Sequence, residues 1–322
     1  MYYKPAFRDV LSARRRISPY LLRTPLHYYA SLSRVLGFEA YVKHENYHPT
    51  GAFKVRGGIN LISQLTPDER QRGVVTASTG NHGQSVAYAA KLFGVKAYIC
   101  VSDNANPDKV EAIRSLGGEI VAKGRDFEDA RLNAEKLAKE HGYRYIHSGN
   151  EPHLVSGVGT IGLEIIEDLP DIEAIIAPVG GGSMVAGIST VVDAVAPEVK
   201  VIAVQAENAP SVYLSWKKGE IVSTESANTM ADGLATRRAF ELPLEIFRDK
   251  ISEFVLVSED EIKDAIRMYV EKTHTIAEGA GAAPLAAGYK MRDLLKGKRV
   301  AMILSGGNLT TEMLREILKK KE

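Results

Sequence analysis

From residue 73 onward the chain alternates short β-branched runs with helical segments, and this alternation limits its architecture more than any other feature. Val74 to Ala77 reads as a strand, and Gln84 to Phe93 as a helix ending at Gly94. Lys96 to Val101 reads as a strand, Pro107 to Ser115 as a helix and Glu119 to Ala122 as a strand. A helix over Phe127 to His141, closed by Gly142, leads into a strand over Tyr143 to His147. The pattern resumes after Pro152 with a helix over Gly159 to Asp168, a strand over Ala174 to Ala177 and a helix over Met184 to Val195. Further strands are expected over Lys200 to Gln205, Phe254 to Val257 and Arg299 to Leu304, the last two each leading into a helix. Residues 206–252 read as loops and helices lying over the sheet. Such alternation predicts βαβ units and parallel sheets, hence an α/β fold. At 322 residues the chain suits two lobes. With no fixed-period repeat or low-complexity linker, the expected division is a small inserted lobe over 73–149 and a large one from 1–72 plus 150–322.

Composition removes several classes of partner. The net charge of +1, from 41 basic and 40 acidic side chains, gives no general attraction to nucleic acid or an anionic membrane. The N-terminal stretch from Met1 to Asp9 lacks an apolar core of signal-peptide length. No apolar run reaches the roughly 20 residues that span a bilayer. The single cysteine, Cys100, cannot form an internal disulfide or a zinc cluster and reads as a small hydrophobe in a buried strand. A cytoplasmic protein is expected.

Chemistry is concentrated in four short segments. In the run Thr50–Gly51–Ala52–Phe53–Lys54–Val55–Arg56–Gly57–Gly58, one lysine sits among small and aromatic residues with an arginine two positions on. Apolar crowding and a nearby cation lower an ammonium pKa, which is what a Schiff-base lysine requires. A surface lysine opening a helix is the plainer alternative. The loop Ser78–Thr79–Gly80–Asn81–His82–Gly83 leads from a strand into a helix and offers backbone N–H groups to a carboxylate. Asn81 adds an amide able to bond a phenolic oxygen. The loop Val179–Gly180–Gly181–Gly182–Ser183 permits close approach of backbone to a phosphate at a helix N-terminus, or is simply a tight turn. This loop meets neither a GxxxxGK(S/T) nor a GxGxxG spacing, which disfavours an NTPase and a Rossmann oxidoreductase. In Ser305–Gly306–Gly307–Asn308, Ser305 can offer a neutral hydroxyl to a heteroaromatic nitrogen or cap a helix, Asn308 being the better cap.

An amine, a phosphate cradle, a carboxylate nest and a ring-nitrogen partner are what pyridoxal 5'-phosphate and an amino-acid substrate need. From Thr24–Pro25–Leu26 to Ser305–Gly306–Gly307–Asn308, the chain resembles the fold-type II pyridoxal-phosphate enzymes, in the threonine/serine dehydratase (ammonia-lyase) and serine racemase branch. The resemblance implies a tryptophan-synthase-β-like fold of two lobes, each with a mostly parallel sheet flanked by helices. It implies that Lys54 makes the Schiff-base link and moves protons at Cα, while Phe53 packs beside the cofactor. Gly180, Gly181, Gly182 and Ser183 would hold the phosphate, Asn81 the ring hydroxyl and Ser305 the ring nitrogen, with Glu278 lining the cofactor. Ser78, Thr79, Gly80, Asn81 and His82 would grip the substrate carboxylate, and Asp232 and Gly233 resemble a substrate-side loop. The implied reaction converts L-threonine or L-serine to 2-oxobutanoate or pyruvate plus ammonia, in a homodimer or larger homo-oligomer. A serine at the ring nitrogen cannot keep it protonated as a carboxylate would, which favours elimination over a long-lived carbanion.

Departures from the branch leave alternatives. Serine racemases carry a serine where this chain has Thr79; its hydroxyl is a candidate second acid/base, or Thr79 only shapes the loop. Related racemases hold a divalent metal through a Glu and an Asp where this chain has Gln205 and Ser211, so no metal site is expected there; Glu207 reads as a solvated loop carboxylate. In His147–Ser148–Gly149–Asn150, a bulkier Pro-Phe pair of many threonine dehydratases is replaced by small residues, leaving room for larger 3-hydroxy amino acids such as phenylserine. A dicarboxylate such as 3-hydroxyaspartate would need an added cation, for which Arg131 is a candidate, though it also reads as an exposed helix arginine. His147 reads as a packed strand-end residue rather than a base. The chain stops after an amphipathic helix over Glu312 to Lys320, without the amino-acid-sensing module of biosynthetic dehydratases, so a catabolic type is expected. An inactive binding module is disfavoured, because the lysine and the glycine loop are both present.

Overall fold

A computed structural model describes residues 2–319. Its ten strands in chain order are β1 (Leu26–Tyr28), β2 (Glu39–His44), β3 (Val74–Ala77), β4 (Ala97–Val101), β5 (Glu119–Ala122), β6 (Arg144–Tyr145), β7 (Ala174–Pro178), β8 (Lys200–Ala206), β9 (Glu253–Val257) and β10 (Arg299–Leu304). They form two sheets, each within one of two compact units.

The first unit comprises residues 2–21 and 54–158. Its four strands run in the order β5-β4-β3-β6, all parallel. Helices Phe7–Ile17, Lys54–Ile62, Asn81–Leu92 and Pro107–Ser115 share one apolar cluster with Val74 and Ile99. Ala130 and Ala134 of helix Phe127–His141 pack with Val75 and Cys100 in a second cluster. With both faces covered, β3 is buried at every position, which is why it reads as a largely apolar, β-branched run rather than an alternating one. Cys100 is fully buried, and desolvation pushes its thiol up to about 11.

The second unit comprises residues 22–53 and 159–319. Its six strands run β1-β2-β10-β7-β8-β9, parallel throughout except for the β1–β2 pair. Its core joins β2, β7, β8 and β10 to helices Glu259–Thr273 and Gly279–Lys290.

This division differs from the expected one at 73 and 150. Residues 2–21, 54–72 and 150–158 belong with the smaller unit because Ala13, Ile17, Leu21, Val55, Ile59 and Leu154 share the apolar cluster of Val86 and Ile99. Strands β1 and β2 were not foreseen. The helix expected from Gln84 starts at Asn81, and the one expected from Gly159 starts at Pro152, where a proline with no N–H to satisfy suits a first turn. The strand expected over Tyr143 to His147 covers only Arg144–Tyr145, because the chain then turns through 147–150. Residues 206–252 contain helices Ser211–Lys218 and Glu241–Phe247 with a 3₁₀ turn at Asp232–Leu234. The terminal helix is Thr311–Leu318; the expected end at Lys320 lies outside the described residues. Among the described residues, no helix is long and apolar enough to cross a membrane.

Candidate active site

In the first unit, three helices meet through residues without bulk. A Cβ on Gly58 would lie 2.3 Å from Ser85 Oγ and 2.7 Å from its carbonyl oxygen. A Cβ on Gly157 would lie 2.8 Å from Gly57 Cα. Glycine is the residue that allows such close backbone approach. Ser85 Oγ donates to the Lys54 carbonyl at 2.7 Å, so the start of helix Lys54–Ile62 is tied to helix Asn81–Leu92.

Lys54 is the first residue of its helix. Although part of the residue is accessible, its amine is desolvated, and this lowers the ammonium from the ordinary lysine value to about 8. Its Nζ donates to the Ser148 carbonyl at 3.3 Å. Desolvation, where both a neighbouring cation and apolar crowding were anticipated, is the dominant cause.

The Ser78–His82 loop follows β3. The Ser78 amide donates to the Cys100 carbonyl at 3.2 Å, and the Gly80 amide to Ser78 Oγ at 3.1 Å. Asn81 opens a 12-residue helix, whose first-turn amides face outward from the helix start. A Cβ on Gly83 would lie 2.5 Å from the Ser78 carbonyl, so this turn closes only around glycine. Thr79 is partly exposed in the loop. The His82 side chain is buried and points back into the unit. Thr76 Oγ1 donates to the Ile146 carbonyl at 2.8 Å, so it must accept from His82 Nε2 at 2.9 Å. That leaves His82 Nδ1 a buried lone pair without a partner. Burial, then the charge of Lys54, depresses the imidazole to about 3, so it is neutral at any ordinary pH.

The second unit gathers the other segments. Gly180, Gly181 and Gly182 follow β7 and precede the 13-residue helix Ser183–Val195, of which Gly182, at φ +88°, is the N-cap. A Cβ would meet the Gly233 carbonyl at 2.0 Å from Gly180, the Phe240 ring at 2.4 Å from Gly181 and the Phe247 ring at 2.9 Å from Gly182. No side chain fits at any of the three positions, and the amides there stand at the positive end of a helix dipole. Amides so placed are of the kind that suit an anion. Gly233 in turn packs 2.8 Å, measured from its ideal Cβ, against Ala280, next to Glu278 at the cap of helix Gly279–Lys290. The Glu278 amide donates to the Gly306 carbonyl at 3.0 Å, and the Phe53 amide to the Ser305 carbonyl at 3.0 Å. Ser305 itself is buried at the end of β10. Phe53, Gly180–Ser183, Gly233, Glu278 and Ser305 are thus joined within one unit. The chain passes to the other unit at the next peptide bond, which leads to Lys54.

Other residues named from the sequence have local partners. Asn308 is not a helix cap: its Nδ2 donates to the Thr50 carbonyl at 2.9 Å, and Thr310 caps helix Thr311–Leu318. Arg131 is engaged by Glu128 and Glu135 of its own helix, so it is not a cation waiting for a second carboxylate. Gln205 Oε1 accepts from the Tyr213 amide at 3.0 Å, and Ser211 Oγ donates to the Thr236 carbonyl. Sequence reasoning missed the Ser148 carbonyl, since a backbone acceptor has no residue signature.

A family profile described as "Pyridoxal-phosphate dependent enzyme" matches residues 17–306. The chain is 43% identical over 312 residues to the L-threonine ammonia-lyase of Thermotoga maritima, covering 97% of this chain and 78% of that one. It is 38% identical over 305 residues to the L-threonine dehydratase catabolic TdcB of Staphylococcus aureus strain N315, covering 94% and 88%. Its structure resembles that of maize serine racemase with a TM-score of 0.93 at 32% identity, over 98% of this chain and 97% of that one.

Proposed function

Because the chain belongs to the family of pyridoxal-phosphate dependent enzymes, we propose that it is a threonine ammonia-lyase of catabolic type. Its substrates would be L-threonine and L-serine, converted to 2-oxobutanoate or pyruvate with release of ammonia. The observation that carries this reading is the desolvated Lys54 amine, held near 8 beside a neutral His82 in a chain 43% identical to a threonine ammonia-lyase. When bound, the cofactor supplies an aldehyde to that amine and a ring that withdraws electrons from the substrate Cα.

The remaining work falls to the chain itself. Lys54 Nζ, with a pKa close to the working pH, can take the Cα proton and return a proton to the leaving β-hydroxyl, so that water departs. The neutral His82 leaves that proton traffic undisturbed, since it cannot compete for a proton above about pH 3. Gly180, Gly181, Gly182 and Ser183 would hold the phosphate by backbone amides, Ser305 and Asn81 the ring, and Phe53 and Glu278 its flanks. Amides of Ser78 to His82 would bind the substrate carboxylate, with Asp232 and Gly233 on the substrate side. Thr79 is the candidate for a second proton-moving hydroxyl. The enzyme would act in the cytoplasm as a homo-oligomer.

A second reading, amino-acid racemisation, is favoured by the likeness to serine racemase and by the hydroxyl of Thr79. Incubating purified protein with each of L-threonine, L-serine and phenylserine, then measuring 2-oxo acid, ammonia and the chirality of remaining substrate, separates the two. Absence of 2-oxo acid from threonine and serine overturns the lyase reading; a D-enantiomer without 2-oxo acid replaces it with the racemase.

A further inference from the structure

We infer that His147 is a positioning residue that aims Lys54 by fixing the turn whose Ser148 carbonyl receives the lysine amine. The inference rests on Lys54 being the reacting amine, as proposed above. Lys54 Nζ donates to that carbonyl at 3.3 Å, and a carbonyl points only where the dihedrals of its turn direct it.

Ser148 is followed by Gly149, the residue with the widest backbone freedom. The constraint comes from the imidazole. His147 Nδ1 accepts from the backbone amides of both Gly149 and Asn150, each at 3.0 Å. An Asn or Asp side chain does the same job when it folds back on the two following amides of a turn. Because Nδ1 is an acceptor, the proton of the neutral ring sits on Nε2.

Both ends of the turn are anchored independently. Before it, the Ile146 amide donates to the Val75 carbonyl at 2.9 Å, and Thr76 Oγ1 donates to the Ile146 carbonyl at 2.8 Å. After it, the Glu151 amide donates to the Gly149 carbonyl at 2.8 Å. The Glu151 carboxylate meets Arg144 of β6 through two contacts, at 2.8 and 2.9 Å, with Glu151 only 5% exposed. Between fixed ends, the ring nitrogen decides which way Ser148 O faces. Removing the acceptor should therefore let the carbonyl turn away without unfolding the loop. One N–H of Lys54 then loses its fixed partner, and its lone pair its fixed direction, which costs turnover rather than substrate binding.

The test compares His147→Phe, which keeps the ring and loses the acceptor, with His147→Asn, whose amide oxygen can accept from the same two amides. In the holoenzyme with threonine, kcat of H147F should fall by about tenfold to a hundredfold with KM changed less than about twofold, and H147N should recover most of the loss. Without substrate, H147F should speed backbone hydrogen exchange at Gly149 and Asn150 and move the pH midpoint of the cofactor's visible band, while H147N leaves both near wild type. Full turnover by H147F, or an H147N no better than H147F, overturns the inference. If the wild-type enzyme forms no 2-oxo acid from threonine or serine, the lyase reading fails while the exchange and spectral comparison still judge His147. Should H147F not fold, nitrogen-15 spectra of selectively labelled wild-type histidines decide: an Nε2–H tautomer for His147 supports the inference and an Nδ1–H tautomer ends it.

Discussion

In the unit that carries Lys54, burial has pushed two ionisable side chains toward neutrality, with the lysine near 8 and His82 near 3. In the unit that carries Gly180 to Ser183, the corresponding loop contains no ionisable side chain at all, only backbone amides at a helix start. The contrast follows from what each group must do. A group that moves protons needs a pKa that its surroundings can tune, and desolvation tunes it. On the proposed function, a phosphate would need fixed donors that cannot change protonation state, and main-chain amides are of that kind. Glycine divides in the same way. In the first unit Gly57, Gly58 and Gly157 let helices touch, whereas in the second Gly180, Gly181 and Gly182 let a loop fold against a carbonyl and two aromatic rings.

Removing the tunable group should have the largest effect. Lys54→Ala is expected to lower turnover of threonine by roughly 10⁴-fold or more, the scale of a lost proton-moving group, and to abolish the visible band of the lysine-linked cofactor. Retained turnover in steady-state assays would break the comparison at its root. The next largest effect belongs to the fixed donors. The ideal Cβ of Gly180 lies 2.0 Å from a backbone oxygen, whereas that of Gly80 meets nothing within 4 Å. Gly180→Ala should therefore weaken cofactor retention by roughly 100-fold, near 3 kcal/mol, measured by equilibrium dialysis. Gly80→Ala should change it by less than about twofold. Equal losses would mean that glycine in the two loops is required for the same reason.

Much of this division could be read from residues. Strands β3, β4 and β5 and helices Pro107–Ser115 and Phe127–His141 lie where the apolar runs, Pro and Gly placed them. The glycine bend and the serine at the end of β10 stood out because small residues there leave the backbone and one hydroxyl open to a ligand, although a tight turn and a helix cap use the same residues. Strand β2 was illegible for a physical reason. Lys43 interrupts its apolar run yet is fully buried, because its Nζ meets Glu164 Oε2 at 2.7 Å and the Thr24 carbonyl at 2.7 Å. Those partners are distant in sequence, so nothing local announces that a lysine there will be inside. The unit boundary differs from the expected one for a similar reason: Ala13, Ile17 and Leu21 find their cluster across more than thirty residues of intervening chain in the other unit. The role of His147 escaped because it works through two amides and a carbonyl, all without side-chain identity.

A smaller effect sharpens the difference between the two uses of glycine. Gly58→Ala would press a methyl group onto Ser85, whose hydroxyl can move but whose carbonyl, 2.7 Å from the ideal Cβ, cannot. A stability loss of about 1–3 kcal/mol is expected in urea unfolding, with cofactor affinity little changed. Loss of the cofactor without loss of stability would place Gly58 with Gly180 instead.

The smallest effect probes each unit through one buried histidine. His82 in the first unit is held at about 3, and His44 in the second at about 4, in each case chiefly by desolvation. Both folded-state values lie below the ordinary 6.5, so below that pH the unfolded chain binds protons that the folded chain refuses. Stability contributed by the neutral rings is thus present above about pH 6.5 and is lost as pH falls, by roughly 1 kcal/mol each at about pH 5.5. Trp216, the only tryptophan, lies in the second unit, and its indole donates to the Arg248 carbonyl at 2.9 Å. Its fluorescence therefore reports on that unit in urea titrations at pH 7 and pH 5.5. His44→Phe should flatten the pH dependence seen by Trp216. If the units unfold independently, His82→Phe should leave that curve unchanged; if they unfold together, both substitutions should flatten it. A curve indifferent to His44→Phe would show that its ring is solvated in the folded state, and that only the Lys54 unit relies on buried neutral bases.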